Sequence, residues 1–583
     1  MANKKISFLA TAGALFLFFW GPVAFSQKAE NDPGRQKGQE IPKPTHEVNV
    51  VVTNVDVVVT DSAGKRVTGL KPENFKLIED GYPQKMTNFY EMKGLDVIIS
   101  GYDIESGQLR PAPPAPFKSS PIKTKIIFYF DNWQLHPLNR NQSIKRLESF
   151  IRNNFPEDGR NQGMVVSLDQ KLVIVQDFTS SASTLLQALN EVKKGSGQAL
   201  LRAKNKEEQI RELNSLVGDP TNLGRNQNYE RAAGFARSFA QEEQNDLQHS
   251  LKSLSALTTY LTGIEGKKML IYISDGLPLS PGQEVFSFLD QAFSTANAQA
   301  EAMNYDATNL FKELTARCNA NEIVLYPINS RGLESMTLSA DQERGWNTYS
   351  KGSGMVKPGT RARNEALQLM ADETGGLTVL ETNDIGPGLK KIEEDMSYYY
   401  SLGYESLHRE DNQYYAIQVK LVGVDEKYQV RLRQGYVRLS QEDKIRESVI
   451  SRLFLGSTYN PMKISVQVMP LESTPDPDQL RLTLKLLIPI KNIALLPREN
   501  DHRGEIRVYI ALKDSEGLIS PCRELSQEII IPNSDHALAL KSHYPYFAEM
   551  VVAPGLYTIS LAVRDVLGDT LNYIQIEKEI GRK

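Results

Sequence analysis

Two short apolar runs, each ending in an aspartate, decide the fold of this chain: Ile126-Ile127-Phe128-Tyr129-Phe130-Asp131 and Met269-Leu270-Ile271-Tyr272-Ile273-Ser274-Asp275-Gly276. Runs of this length with turn signals behind them predict strands covered on both faces, as in a parallel α/β sheet. Ligands of such sheets bind beyond the carboxyl ends of the strands, where the strand order reverses. Two carboxylates at that place can share a divalent cation, because Mg²⁺ and Ca²⁺ take hard oxygen ligands. The alternative is that each aspartate only caps the helix that follows it.

The surroundings fit a doubly wound domain. Residues 143–150 read as an amphipathic helix, and 164–168 with 172–175 as a hairpin around Asp169-Gln170, an antiparallel edge. Residues 323–328 and 377–380 supply a fifth and a sixth strand, with helical stretches between strands. Residues 198–262 are helical, interrupted by a loop over 218–228. Leu247, Leu251, Leu254 and Leu261 form one stripe there, which packs onto the sheet or belongs to a projecting helical arm. Residues 337–364 read as a flexible loop.

The aspartate pair resembles the von Willebrand factor A (VWA) fold. That family carries a metal-ion-dependent adhesion site: an Asp-x-Ser-x-Ser loop after strand 1, a Thr from a later loop, and Asp-Gly after strand 4. Its sheet order is 3-2-1-4-5-6. Ser274-Asp275-Gly276 matches the last part. The first loop departs from the pattern, since Asp131-Asn132-Trp133-Gln134-Leu135 puts Trp133 and Leu135 where the hydroxyls belong. The resemblance implies Asp131 and Asp275 as cation ligands, with Ser196 of Gly195-Ser196-Gly197 at the Thr position. With two hydroxyls replaced, Mg²⁺ or Ca²⁺ is expected to bind weakly.

A closer resemblance covers residues from about 46 to 438. It is to the VWFA-related family described mainly from acidobacterial secreted proteins. Its carrying segments are Val57-Val58-Val59-Thr60-Asp61, Gly69-Leu70, Asn74-Phe75 and Glu79-Asp80-Gly81, then Gln176-Asp177-Phe178-Thr179 and Gly266-Lys267-Lys268. Tyr399-Tyr400-Ser401-Leu402-Gly403-Tyr404 and Arg431-Leu432-Arg433-Gln434-Gly435-Tyr436 complete it. It implies this fold and an extracytoplasmic setting, and no reaction.

The amino terminus agrees with that setting. Lys4 and Lys5 precede an apolar run over 6–20, and Ala24-Phe25-Ser26 offers small residues before Gln27. This reads as a secretory signal peptide over 1–26. The alternative is an uncleaved anchor, but the run is shorter than the roughly 20 residues of a spanning helix. After cleavage no membrane span is expected. Cys318 and Cys522 are the two cysteines, so neither a disulfide framework nor a Cys-based metal site is available. A formal net charge of −4 over 583 residues argues against a nucleic-acid partner drawn by a basic surface.

The expected architecture is multidomain α/β plus all-β. Residues 27–45 are polar and read as disordered. Alternating Val48, Val50, Val52 and Val55, Val57, Val59 open the N-terminal half of a β-sandwich over 46–102. A Pro-rich linker over 103–122 leads to the VWA-like domain over 123–397, and the other half of the sandwich follows over 398–438. Ser440 caps a helical connector over 439–455, and 456–583 reads as an immunoglobulin-like β-sandwich.

No His-Glu-x-x-His, Gly-x-Ser-x-Gly or phosphate-cradling Gly-x-x-x-x-Gly-Lys-Ser/Thr motif is present, so no enzyme is expected. The chain reads as a secreted or periplasmic protein-binding protein, for adhesion or assembly, with protein partners in the envelope or extracellular space. An architectural envelope protein without metal-dependent binding is the alternative, and an extracytoplasmic hydrolase ranks below both. Trp133, His136 and Leu277 are the expected binding residues at the carboxyl-end face. Trp133 as an interface anchor competes with Trp133 and Leu135 folding inward to fill an absent metal shell. The tyrosines at 398–400 read as cross-strand packing rather than a recognition patch.

Overall fold

The computed structural model describes residues 52–93, 97–103, 108–110, 124–156, 161–195, 198–217, 225–262, 264, 267–293, 297–332, 360–406, 412–454 and 459–581. The expected signal peptide, the disordered stretch 27–45, the prolines at 111–121 and Ser196 lie outside them. The chain divides into two units, Val52–Leu455 and one that includes Gly456–Lys583, each described by itself.

Alternating valines make the first strand of the first unit, with Val55, Val57 and Val59 buried on β1 (Val52–Thr60). β2 (Phe75–Glu79), β3 (Tyr82–Pro83), β4 (Met86–Lys93), β5 (Val97–Asp103) and β6 (Gln108–Arg110) follow. β6 occupies part of the stretch expected as linker, a correction to the 102 boundary. The α/β segment then runs β7 (Thr124–Asp131), α1 (Pro137–Asn154), β8 (Asn161–Leu168), β9 (Leu172–Thr179) and α2 (Ala182–Val192). It continues with α3 (Gln198–Val217), α4 (Arg225–Leu261), β10 (Lys268–Ser274), α5 (Gln283–Phe293), α6 (Asn297–Ala302) and α7 (Thr308–Ala320). β11 (Ile323–Asn329), α8 (Thr360–Thr374) and α9 (Gly386–Ser397) end it. Thus 360–364, expected as loop, begin a helix. After β12 (Tyr398–Glu405), β13 (Tyr414–Leu421), β14 (Gln429–Arg431) and β15 (Gly435–Val437), the unit closes on α10 (Gln441–Arg452), capped by Ser440.

Strands from before and after the α/β segment share two sheets, ordered β14-β1-β12-β4-β5-β6 and β15-β13-β2-β3. Both of β1's neighbours, β12 and β14, come from beyond the α/β segment. One core lies between the sheets, and it buries Tyr398 and Tyr400, as the packing reading expects.

The α/β sheet has the order β11-β10-β7-β8-β9, with β9 antiparallel. Counted within this sheet that is 5-4-1-2-3, so order reverses between β7 and β10. The expected sixth strand is reduced to one parallel bridge, Ile328 to Val379. On that edge Pro327 has no N–H to give, and the Leu325 amide is already bound by the Thr374 hydroxyl, 3.0 Å away. α1, α2 and α9 cover one face, while α4, α7 and α8 cover the other. The leucine stripe packs onto the second face. The first half of α4, however, packs with α3, α5 and α6 around a separate core that includes Ile210, Leu213, Phe239 and Phe286. α4 thus spans two cores over its 37 residues.

In the second unit, β16 (Ser465–Val468), β17 (Glu472–Ser473), β18 (Leu480–Pro489), β19 (Leu496–Pro497), β20 (Asp501–Asp514), β21 (Arg523–Pro532), β22 (His543–Val552), β23 (Gly555–Asp565) and β24 (Thr570–Ile580) form two sheets around one core. The sequence reading misses β22 and β24. Among the described residues no helix is long and apolar enough to cross a membrane.

Candidate functional site at the carboxyl end of the α/β sheet

Asp131 ends β7 with a fully buried side chain. It continues the β7 face that carries Ile127 and Tyr129, the face covered by α4. Its Oδ2 accepts a hydrogen bond from the Tyr272 hydroxyl of neighbouring β10. Its Oδ1 has no hydrogen-bond partner among the described residues. Burial pushes this carboxyl above its ordinary value, against the Tyr272 bond.

Asp275 follows β10 and is engaged from the other face. The His136 amide donates to Oδ2 at 2.9 Å, and the Asn139 side-chain amide donates to Oδ1 and Oδ2 at 3.0 and 2.9 Å. Both donors belong to the start of α1. His136 is the N-cap, its ring Nδ1 accepting from the Leu138 amide at 3.2 Å. Burial pushes the Asp275 carboxyl up to about 6, opposed by the His136 amide and Asn139. The capping reading is closest here, although Asp275 braces the helix start from outside it.

The two carboxylates are thus held by elements on opposite faces of the sheet. Asp275 already has N–H donors on both oxygens, and Asp131 is biased toward its neutral form. Leu135 is buried among the α1-side core, and no hydroxyl stands at 133 or 135. This donor set does not fit a shared Mg²⁺ or Ca²⁺, and Ser196 lies outside the described residues. Among the described residues no group of three or more His, Cys, Asp or Glu is arranged to hold a metal.

A consequence is testable. A buried carboxylate held only by neutral donors gains when it loses its charge. Asp275→Asn keeps an acceptor for the His136 amide and gives up one of the two Asn139 bonds, because its amide nitrogen cannot accept. The folded value exceeds the ordinary one of about 4, so wild-type stability from this group is present in acid and lost as pH rises through about 6. Asp275→Asn should therefore raise the melting temperature near neutral pH, and the gain should vanish below about pH 4. A lower melting temperature for Asp275→Asn at neutral pH, with added Mg²⁺ raising that of the wild type and not of the variant, would indicate a cation instead.

Trp133 and Leu277 correct the sequence reading. Leu277 is 0% exposed, in the α4-side core, and offers no binding surface. Gly276 turns the chain there at φ 91°, and a Cβ on it would meet Arg363 Cβ at 2.7 Å. Trp133 neither projects freely nor fills a metal shell. Its Nε1 donates to Asp246 of α4 at 3.1 Å, its ring lies 4.3 Å from the His249 ring, and the Arg202 guanidinium of α3 stacks on it. Arg202 Nη1 also donates to the Trp133 carbonyl at 3.1 Å.

Charges extend this clamp along α4. Lys206 lies 3.3 Å from Asp246 and 3.4 Å from Glu243, and Arg363 donates to Glu243 at 2.8 Å. Burial opposes ionisation of Glu243, but Lys206 and Arg363 hold its carboxyl below the ordinary value. On the other side of the loop, buried Arg140 donates to the Lys193 carbonyl at 2.8 Å and the Gly195 carbonyl at 3.4 Å. The sequence reading missed Asn139, Arg140, Arg202, Glu243, Asp246 and His249. One signal was present: Glu243 continues the Leu247, Leu251, Leu254 stripe by one more turn, so the stripe was bound to meet a polar target.

No protein-family model matches the chain, and no curated protein does. Solved structures that resemble it include the vWF domain of the type V pili tip protein Mfa5 from Porphyromonas gingivalis. That one is 10% identical, covering 47% of this chain and 95% of the other, with a TM-score of 0.26. The pilus adhesin SpaC from Lactobacillus rhamnosus GG, in an open conformation, is 7% identical over 89% of this chain and 74% of its own, with a TM-score of 0.26. An aerotolerance-related membrane protein from Bacteroides fragilis NCTC 9343 is 11% identical over 47% and 98%, with a TM-score of 0.22. The VWA-like reading of the fold rests on the strand order and the two aspartates at its reversal point.

Proposed function

We propose that this is an extracytoplasmic protein-binding protein for adhesion or assembly, and that the carboxyl-end face of its VWA-like domain meets the partner without a bridging cation. The observation that carries the reading is an apolar side chain set in water beside the site. Leu138, 66% exposed, lies between His136 and Asn139, the two residues that hold Asp275. Leu200 and Leu201 are also exposed, at the start of α3 beside Arg202. Exposed apolar groups around a crevice at a strand-order reversal suit a protein partner. His136 stays in the reading as a positioning residue rather than as a contact: its ring Nδ1 accepts from the Leu138 amide and its own amide holds Asp275. The signal peptide expected over 1–26 supports a secreted or periplasmic location.

A second reading, an architectural envelope protein, is favoured by the clamp on Trp133, which occupies the residue best suited to anchor a partner.

The test is capture of an envelope protein from the source cells by the immobilised full chain. Capture should persist in chelator and fall at least about tenfold for Leu138→Glu, since burying a charge in an interface costs more than the 1.4 kcal/mol that a factor of ten represents. Leu518→Glu, an exposed control in the second unit, should leave it unchanged. Capture abolished by chelator and restored by Mg²⁺ would overturn the cation-free reading, and equal capture by Leu138→Glu would remove this face from the interface.

A further inference from the structure

α3 is held by two different kinds of contact along its length. In its first half the contacts to the site and to α4 are polar: Arg202 to Trp133 and Asp246, Lys206 to Asp246 and Glu243, and Gln209 Nε2 to Glu242 Oε2 at 2.8 Å. Residues 202, 206 and 209 share one helix face. Ala199, the buried apolar side chain of this half, is small. In the second half the attachment changes character. Ile210 and Leu213 are buried in the separate helical core with Phe239, Phe286 and Leu289. The outward side of the first half carries exposed Leu200, Leu201 and Lys204.

We propose that the first half of α3 is a strap over Trp133, tied down by ion pairs along this half and by apolar packing along the other. Trp133 is what the strap covers. Closed, the strap stacks Arg202 on the indole and leaves Trp133 half-buried. Open, it exposes an aromatic on the β7–α1 connection that leads to Leu138, at the carboxyl-end face to which the preceding section assigns the partner. That the strap gates binding rests on the reading of this face as an interface; the strap itself does not. These ion pairs are largely buried, so salt weakens them only in part, whereas removing the cations removes them outright; neither change touches the apolar packing of the second half.

The experiment reads Trp133 alone, in the full chain carrying Trp20→Phe and Trp346→Phe. Acrylamide quenching is measured between about 0.1 M and about 1 M NaCl, over which the screening length falls from about 10 to about 3 Å. The quenching constant should rise with salt and the emission shift to the red, with helix content unchanged by circular dichroism. Arg202→Gln with Lys206→Gln should give the high value already at low salt. A quenching constant that is flat with salt and no higher in the double variant, with helix content unchanged, overturns the strap. The two readings then separate. If quenching responds as expected but the double variant captures no more partner than the parent, gating is overturned and the strap stands. If quenching responds while Leu138→Glu leaves capture unchanged, the interface reading fails and the strap again stands.

Discussion

Asp395→Ala should destabilise the first unit by about 3–5 kcal/mol, the usual penalty for stripping a buried charge of its partner. The Asp395 side chain is 1% exposed on α9, the last helix of the α/β segment. Arg431, at the end of β14, grips it with a fork: Nη1 to Oδ2 at 2.6 Å and Nη2 to Oδ1 at 2.7 Å. Arg66, just after β1, reaches the same Oδ1. One carboxylate therefore holds one arginine from each half of the split sandwich. Without it, two largely buried guanidinium groups face each other uncompensated. The strain is already visible in Arg66, whose pKa is pushed down to about 10 by burial and by Arg431. Neighbouring contacts leave this joint little room to relax. Lys267 pairs with Asp56 at 2.8 Å, and the Gln434 amide donates to the Glu373 carbonyl at 3.0 Å. Denaturant unfolding should show a lower midpoint with an unchanged slope. Asp395→Asn should cost less, because an amide oxygen still accepts from one arginine. A loss for Asp395→Ala of under about 0.5 kcal/mol, as for an ordinary surface change, would mean the clasp carries no load.

What the sequence made legible and what it hid divide along sequence distance. β7 and β10 are readable because their pattern is local: unbroken apolar runs can only be strands covered on both faces. The order reversal between them was what the VWA resemblance implied, and the sheet order β11-β10-β7-β8-β9 has it there, with Asp131 and Asp275 at its end. The chemistry at that location was not readable in the same way. Trp133 is bonded by Arg202 and Asp246, 69 and 113 positions further along, and no local pattern announces such partners. Asp275 was read as a ligand because its Asp-Gly context allows one. Its actual donors lie 136 and 139 positions earlier, and one is a backbone amide, which every non-proline residue carries. Leu277 was misplaced for a local reason: the positive φ at Gly276 reverses the chain and sends the next side chain inward. The sixth strand fails for a reason that was in view, since Pro327 removes a donor from the edge it needed. β22 and β24 were missed although both bury apolar side chains: Pro545 and Glu549 break up the run of β22, and β24 runs into Glu577-Lys578-Glu579 near its end.

Expressed alone, residues 46–102 should remain unfolded, whereas 123–397 should fold. The strand pairings give the reason. β1 hydrogen-bonds to β12 and β14 and to no strand of its own fragment, so its ladder partners vanish entirely. β4 keeps β5 but loses β12. The fragment retains Val55, Val57, Val59, Phe75, Leu77 and Phe89 of the shared core, and loses Tyr400, Leu402, Tyr404, Tyr415, Ile417 and Val419 that pack against them. Polar satisfaction goes as well. Buried Glu79 accepts from Tyr404 at 2.5 Å and Tyr436 at 2.7 Å, so the fragment must leave that carboxylate in water. Few strands with half a core do not reach independent stability. The α/β segment faces none of these losses. Its five strands pair only with one another, and both of its face cores are built from residues of that segment. Its liabilities lie at the cut surface: Asp395 without Arg66 and Arg431 becomes an ordinary hydrated carboxylate, Lys267 loses Asp56, and the end of α4 loses α10. Thermal melting followed by far-ultraviolet circular dichroism decides the matter. A cooperative transition for 46–102 alone would mean that this sandwich half is an independent domain, and the absence of one for 123–397 would mean that the α/β segment needs the sandwich to fold.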